Sequence, residues 1–320
     1  MSILLTEHDV SELLSYDDAI ADVELGFRLL AEGDAVNAPR QRAETDGAVL
    51  NVMWAIAPTL SAMGVKSYPV VRSDVTQSAT STFVLYELPT GAVAGILEAD
   101  VLGQRRTGAA SAVATRALAR EGAEVLTVFG SGWQAQSQVE AIARVVPGLA
   151  RVHVLGRSTS RAQAFAARLV ERLGIAADAD APPERAVGEA DIVVTATGAS
   201  EPVFDGSWLR PGAHVNAIGS NYAEKRELDA EALARADLIV ADALDVAEAE
   251  CGDVIRNSVD WQRVGALGDV LSGSRPGRVG QGDITIFESQ GLAIQDVVCA
   301  RRVVRLARER GVGSPLALGS

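Results

Sequence analysis

The sequence predicts an α/β protein: a doubly wound parallel sheet, accompanied by a second α+β domain to which both chain ends contribute. Three observations predict it. From about residue 121 onward, short and almost wholly apolar strands alternate with alanine-rich helical segments, the pattern of a parallel sheet covered on both faces. The first hundred residues mix helical and strand signals instead. A long amphipathic segment near the C-terminus follows the alternating region and is expected to return to the first domain. The expected boundaries are 1–118 with 293–320 for the first domain and 119–292 for the parallel-sheet domain.

Taken in order, Ser15-Tyr-Asp-Asp-Ala-Ile-Ala-Asp-Val-Glu-Leu-Gly-Phe-Arg-Leu-Leu places apolar residues at intervals of three and four, with Ser15 or Asp17 as the cap, and reads as an amphipathic helix. Val49-Leu-Asn-Val-Met-Trp, Gly64-Val-Lys-Ser-Tyr-Pro-Val-Val and Ser81-Thr-Phe-Val-Leu-Tyr-Glu-Leu read as strands, and the turn Pro89-Thr-Gly leads into Ala92-Val-Ala-Gly-Ile-Leu. A mostly antiparallel sheet is expected. The apolar strands of the second domain are Val125-Leu-Thr-Val-Phe, Val152-His-Val-Leu, Ile192-Val-Val-Thr-Ala, His214-Val-Asn-Ala-Ile and Leu238-Ile-Val-Ala. A Gly/Pro-rich stretch from Ser272 to Gly282 precedes one more strand, and the final helix starts near Leu292.

The bulk properties exclude several classes of function. A 320-residue chain with 48% hydrophobic residues has ample material for a buried core. Its formal charge of −13 and pI near 4.8 oppose a surface built for nucleic acid or anionic lipid. No stretch approaches the length of a membrane span, and the N-terminal run lacks a basic segment followed by an apolar core, so a cytoplasmic location is expected. Two cysteines, Cys251 and Cys299, exclude a disulfide framework, and His8, His153 and His214 lack ligand spacing, so no metal site is expected.

The strongest local signal is Gly130-Ser131-Gly132-Trp133-Gln134-Ala135, which joins the strand at 125–129 to a helix-compatible segment at 136–145. In such a G-x-G-x-x-A turn the first glycine permits the sharp turn, the second lets the backbone approach a pyrophosphate, and the small sixth residue allows close helix–strand packing. The expectation is a Rossmann-type nucleotide site, with packing alone as the alternative. Trp133 either touches the cofactor or packs against its helix. The second strand ends in Gly156-Arg157-Ser158-Thr159, where an NAD site ordinarily carries Asp or Glu. Arg157 can pair with a 2′-phosphate and stack on adenine, and Ser158 adds a hydroxyl, so NADP(H) is favoured over NAD(H). A merely solvated arginine is the competing reading.

Three cations lie before this domain. Arg40 follows Pro39, Lys66 interrupts a strand-like run, and Arg106 opens Arg-Thr-Gly-Ala-Ala-Ser-Ala. A lysine in a half-buried strand needs a partner, whereas arginines near loops are often only solvated.

On these residues the sequence resembles the ornithine cyclodeaminase/mu-crystallin family along nearly its whole length. The motifs are Pro39-Arg40, Gly64-Val-Lys66, Arg106-Thr-Gly-Ala-Ala-Ser-Ala, the glycine turn, Thr195-Ala-Thr-Gly-Ala-Ser-Glu-Pro-Val, Ile218-Gly-Ser-Asn, Arg226-Glu-Leu-Asp and the run from Asp283 to Asp296. The resemblance implies a homodimer that binds NAD(P) in the Rossmann domain, with substrate residues and the dimer interface in the domain built from both chain ends. It implies that Arg40, Lys66 and Arg106 grip a substrate carboxylate and that Thr107 touches cofactor phosphate. Thr195 joins the cofactor-binding residues, and Thr197, Ser289 and Gly291 lie near the nicotinamide.

One departure bears on activity. Cyclodeaminases and the related alanine dehydrogenases resemble one another in a Gly-x-Asp arrangement that here reads Gly219-Ser220-Asn221. An amide cannot accept a proton from an ammonium group, and residues 50–65 contain no acid to hold a distal ammonium. The expected reaction is therefore reduction of a cyclic ketimine or other 2-imino acid, with Lys66 and Arg106 acting on the substrate and Asn221 orienting substrate or water. The alternatives are an ornithine cyclodeaminase or amino-acid dehydrogenase, and a non-catalytic NADPH-binding protein of the crystallin kind. Glu227 and Asp229 read as helix-start residues, Cys299 as core, and Asp296 as a cap or a pairing partner near the site.

Overall fold

The computed structural model describes residues 2–71, 80–219 and 221–318. These divide into two compact units, 1–106 with 292–320, and 107–291. The first opens with β1 (Ser2–Leu5), α1 (Glu7–Leu13), α2 (Tyr16–Ala31), β2 (Val36–Asn37), β3 (Gln41–Glu44), β4 (Ala48–Ala57), β5 (Ala62–Val71), β6 (Thr82–Glu87) and β7 (Val93–Glu98). Helix α3 (Asp100–Leu118) runs across the division at 106/107.

The second unit continues with β8 (Val125–Phe129), α4 (Trp133–Val145), β9 (Arg151–Leu155), α5 (Thr159–Leu173), β10 (Ala176–Asp178), α6 (Pro183–Glu189), β11 (Ile192–Thr195), β12 (His214–Ala217), α7 (Ala230–Arg235) and β13 (Leu238–Ala241). It ends with α8 (Leu244–Glu250), α9 (Gly252–Arg256), β14 (Val264–Ala266), α10 (Leu267–Ser272) and β15 (Thr285–Glu288), before α11 (Ala293–Arg310) and β16 (Ser314–Leu316) rejoin the first unit.

The sheet of the first unit runs β16-β1-β7-β6-β5-β4-β2, with β3 also on β4. All its pairings are antiparallel except β1 with β7. One face is closed: Val49, Met53 and Ala55 of β4 are buried, and α11 packs against β4, β5 and β6. Helix α2 is capped by Ser15, whose hydroxyl accepts from the Asp18 amide, and buries Ile20, Val23 and Phe27. At Gly26 its backbone meets Ile294 and Val298 of α11, and Asp22 pairs with Arg302 at 2.6 Å. The other face of the sheet carries Leu50, Trp54 and Ile56, each more than a third exposed.

The sheet of the second unit is wholly parallel, in the order β10-β9-β8-β11-β12-β15-β13-β14. Strands β8, β9 and β10 wind outward in one direction and β11 and β12 in the other, so the order reverses between β8 and β11, where ligands of doubly wound sheets bind. Alternate residues feed two cores. Leu126, Val128, Val152, Ile192 and Val194 pack with Val139, Ile142, Phe165 and Leu169, while Val193, Val215, Ile239 and Ile286 pack on the opposite face with Ala186, Val187 and Phe204. Two of the polar side chains inside these strands are anchored by hydrogen bonds: Thr127 donates to the Ala186 carbonyl at 2.7 Å and His153 Nδ1 lies 3.0 Å from Asp178.

Candidate active site

The glycine turn forms a cradle at the carboxyl end of β8. Gly130 has φ +118, and a Cβ there would stand 2.4 Å from the Ala196 carbonyl oxygen, so only glycine fits. Gly132 caps α4, and a Cβ on it would meet nothing within 4 Å, which leaves the helix N-terminus open to a ligand. Ala135 is fully buried beneath the turn. Further along the packing, Gly108 of α3 lies so close to α4 that a Cβ would stand 2.2 Å from the Ser137 hydroxyl. The small-residue run that begins at Arg106 is thus a helix-packing surface. It carries Thr107, whose carbonyl accepts from Gln138 at 3.3 Å.

A cavity of about 710 Å³ opens beside this cradle. Of the sequence-predicted residues it gathers Gly130, Ser131, Arg157, Ser158 and Thr197, and it adds Arg161, which the sequence reading did not single out. Ser158 caps α5 by accepting from the Arg161 amide. The Arg157 and Arg161 guanidinium groups have no hydrogen-bond or ion-pair partner among the described residues. A concave surface with two unpaired cations can hold an anionic nucleotide. Thr107, Gly132, Trp133, Gln134, Ala135, Thr195, Ser289 and Gly291 do not line the cavity. Trp133, the first residue of α4, is 54% exposed.

Three buried carboxylates that local sequence does not reveal hold the loops around this cradle. Glu227 accepts from the Thr197 amide at 2.7 Å, the Thr197 hydroxyl at 2.5 Å and the Gly219 amide at 2.8 Å. It thereby ties the segment after β11 to the segment after β12. Gly219 is required here, because a Cβ would stand 2.4 Å from Glu227 Oε2. Burial pushes the Glu227 carboxyl up, and the bonds from Thr197 and Gly219 pull it back. The expectation of a helix-start role holds for Asp229, which caps α7, but Glu227 bonds the backbone of two distant loops instead. Asp253 in turn accepts from the Glu227 and Leu228 amides, both at 2.7 Å. Asp242 accepts from the Gln290 amide at 2.9 Å and the Gly291 amide at 2.6 Å, with the Ser289 hydroxyl at 3.4 Å, and so fixes the turn that carries Ser289 and Gly291. Asn221 follows this framework half-buried beyond Gly219, while Ser220 lies outside the described residues.

In the first unit, Lys66 and Arg106 meet. Lys66 comes from the closed face of β5, opposite Met53 and Phe83, and Arg106 from the middle of α3. Both converge on Asp296 in the first turn of α11, where one oxygen, Oδ1, lies 3.2 Å from Lys66 Nζ and 3.2 Å from Arg106 Nε. Arg106 Nη1 also donates to Gln295 at 2.9 Å. The ammonium rests against Gly103, where a Cβ would stand 2.5 Å from Nζ. Lys66, Arg106 and Arg40 are each more than nine-tenths buried. Burial first, and then Arg106 and Arg40, lower the Lys66 pKa below the ordinary lysine range, whereas Asp296 raises it. Among the described residues, two buried cations, Lys66 and Arg106, thus share one oxygen of Asp296 while Arg40 acts on the lysine as a further cation, a surplus of positive charge at this pair that an anion would offset.

The sequence matches the profile of the ornithine cyclodeaminase/mu-crystallin family over residues 1–311. It is 36% identical over 270 residues to a Delta(1)-pyrroline-2-carboxylate reductase of Bacillus cereus, with 82% of each chain aligned. Among solved structures it is similar to the Delta(1)-pyrroline-2-carboxylate reductase of Thermococcus litoralis in complex with NADH and L-proline, with a TM-score of 0.93, 30% identity, and 98% and 100% of the two chains covered. An archaeal alanine dehydrogenase dimer with bound NAD is similar at a TM-score of 0.93 and 32% identity, with 99% of each chain covered. Matched from residue 1 to residue 311 and similar to these relatives along almost its entire length, the chain belongs to the ornithine cyclodeaminase/mu-crystallin family.

Proposed function

We propose that this protein is an NADP(H)-dependent reductase of cyclic ketimines or related 2-imino acids of the pyrroline- and piperideine-2-carboxylate kind, producing the corresponding amino acid. The observation that carries the reading is the excess of positive charge where two buried cations, Lys66 and Arg106, converge on a single oxygen of Asp296 among the described residues. A carboxylate-bearing substrate offsets that charge, and the guanidinium groups fix its orientation through charge-assisted hydrogen bonds. The relatives named above act on pyrroline-2-carboxylate or alanine, both of this class by their names.

Two features support the cofactor half of the reading. The glycine cradle and the open N-terminus of α4 suit a pyrophosphate, and Arg157, Arg161 and Ser158 suit a 2′-phosphate better than a bare ribose hydroxyl. When bound, the reduced nicotinamide supplies the hydride that the imine carbon accepts. Lys66 supplies the proton at nitrogen, Arg106 and Arg40 hold the carboxylate, and Asn221 orients substrate or water by hydrogen bonding. Thr107, Thr195, Thr197, Ser289 and Gly291 complete the cofactor contacts in this reading. The exposed apolar face of the first unit, with Leu50, Trp54 and Ile56, suits burial against a second copy of the chain.

The test is NADPH oxidation with a panel of cyclic 2-imino acids, run beside NADP⁺ reduction with ornithine, lysine and alanine. Turnover of the imines alone is the expected result. Turnover of free amino acids with no activity on imines overturns the reading and assigns the base role to a group other than Asn221.

A further inference from the structure

The mechanism above leaves Asp296 without a duty, although its placement is unusual. The residue is fully buried, and both cationic contacts fall on the same oxygen, Oδ1, at 3.2 Å each. Its second oxygen, Oδ2, has no hydrogen-bond partner among the described residues. A carboxylate serving only to anchor a helix or orient an arginine would be expected to use both oxygens, because each unpaired buried lone pair costs free energy. Orientation of Arg106 is also provided separately, by Gln295 at 2.9 Å.

Lys66 has no such second anchor. Among the described residues Asp296 is the one anionic group in contact with its ammonium. The other groups that face Lys66 are Arg106 from α3, Arg40 from the segment before β3, and the ring of Tyr68 on its own strand, whose centroid is 5.9 Å from Nζ. Two of these three are cations that favour loss of the lysine proton, and burial acts in the same direction. Without a nearby negative charge, a lysine so placed is driven to the neutral amine.

We propose that Asp296 is a positioning residue that keeps Lys66 in its ammonium form, so that Lys66 is the proton source for the substrate nitrogen. This rests on the imine-reductase reading. As the imine carbon accepts hydride, the π pair of the C=N bond moves to nitrogen and forms an N–H bond with the proton released from Lys66 Nζ. The neutral lysine is then recharged from solvent. Asp296 stays ionised throughout and touches neither substrate nor cofactor in this role.

The composition of the chain makes this testable without turnover. It contains two lysines, Lys66 and Lys225, so ¹⁵Nζ-lysine labelling of the full-length protein gives two side-chain resonances, assigned with K225R. The Lys66 midpoint is titrated in the parent, D296N, D296E and R106Q, and the alkaline limb of kcat/KM for pyrroline-2-carboxylate is measured in the parent and both Asp296 variants. Asp296→Asn should lower the Lys66 midpoint by about 1–3 pH units, the usual effect of losing an opposite charge in contact. The alkaline limb should fall by the same amount. Asp296→Glu should recover most of both shifts, and Arg106→Gln should move the midpoint upward, which keeps the idea testable if D296N does not fold. A Lys66 midpoint that is unmoved in D296N, or unmoved or lowered in R106Q, overturns the proposal. So does a midpoint that moves while the rate limb stays, because another group would then supply the proton. Midpoints that shift as expected in a protein that reduces no imine would instead overturn the substrate reading and leave the Asp296–Lys66 coupling standing.

Discussion

If the site prefers NADP(H) as proposed, replacing Arg157 and Arg161 with alanine should remove that preference. Both guanidinium groups border the same cavity and lack partners among the described residues, so neither must break an existing ion pair to reach a 2′-phosphate. A charge-assisted hydrogen bond contributes about 1.5–3 kcal/mol when well sheltered. Both side chains are solvent-exposed here, which lowers the contribution to about 0.5–1 kcal/mol, or two- to fivefold each. Because both arginines would act on one phosphate, the double substitution should cost less than the product of the two, roughly 5–20-fold in NADPH affinity. NADH carries no such phosphate, and its affinity should change only a few-fold through lost stacking on adenine. The assay is fluorescence titration of both cofactors at low and high salt. Salt should weaken NADPH binding in the parent and do so much less in the double variant, because the interaction is screened beyond about 10 Å at 0.1 M ionic strength. Equal losses for NADPH and NADH would refute the reasoning and give these arginines a general structural role.

Three other perturbations bear on separate parts of the molecule. Arg106→Ala removes one cation of the buried cluster and should raise the imine KM by tenfold or more while leaving NADPH affinity within a few-fold, read from steady-state kinetics beside cofactor titration; parallel losses would count against a carboxylate role. Glu227→Gln presents an amide donor to a group of three donors, and a mismatch of that kind costs about 1–3 kcal/mol. It should weaken NADPH binding, since Thr197 lines the cavity, and unaltered cofactor affinity in a folded variant would show that the clamp does not serve the site. The third perturbation concerns stability. Burial, aided by Glu227, pushes the Asp253 carboxyl up to about 7, so between its unfolded value near 3.8 and that pH the native state binds more protons than the unfolded chain. Stability must then fall as pH rises through this window, by at most about 1.4 kcal/mol per pH unit from this group. Asp253→Asn keeps an oxygen for the two amides and should flatten the slope in urea titrations at pH 5, 6 and 7; an unchanged slope would place the proton elsewhere.

The parts of this architecture legible in the sequence are those whose cause is local. The strand at 125–129, the glycine turn and the helix behind it follow one another without a gap, and continuous apolar runs mark β9, β11, β12 and β13 as buried on both faces. Lys66 was conspicuous because a charge in a strand needs a partner, yet the partner lies 230 positions away and leaves no spacing to read. Helix α3 escaped notice for a different reason. Gly103, Gly108, Thr107 and Ser111 dilute its apolar period and lower its intrinsic propensity, while tertiary packing, including the close approach at Ser137, holds it in shape. Arg106 stands out in the sequence as the first residue of the Arg-Thr-Gly-Ala-Ala-Ser-Ala run, and the structure shows that this run lies within a 19-residue helix. The clamps made by Glu227, Asp242 and Asp253 were hidden by the same limit, since their partners are backbone amides of remote turns.

The cluster around Asp296 also discriminates between an enzyme and a binding scaffold of the same fold. Lys66 and Arg106, enclosed with Asp296 as their one carboxylate among the described residues, destabilise the native state, because desolvation of each ion costs several kcal/mol and the two cations share a single opposite charge. Apolar side chains of similar volume would serve a purely structural protein better. Retention of such an arrangement makes physical sense where an anionic ligand completes it and where proton transfer uses the lysine. The same group constrains direction. In the proposed mechanism imine reduction needs Lys66 charged, whereas oxidation of an amino acid needs a neutral acceptor, which the amide of Asn221 is not. With Lys66 below the ordinary lysine range, oxidation becomes accessible as pH rises past the Lys66 midpoint. Any amino-acid dehydrogenase activity should therefore appear on the alkaline side, increasing over the interval in which imine reduction declines.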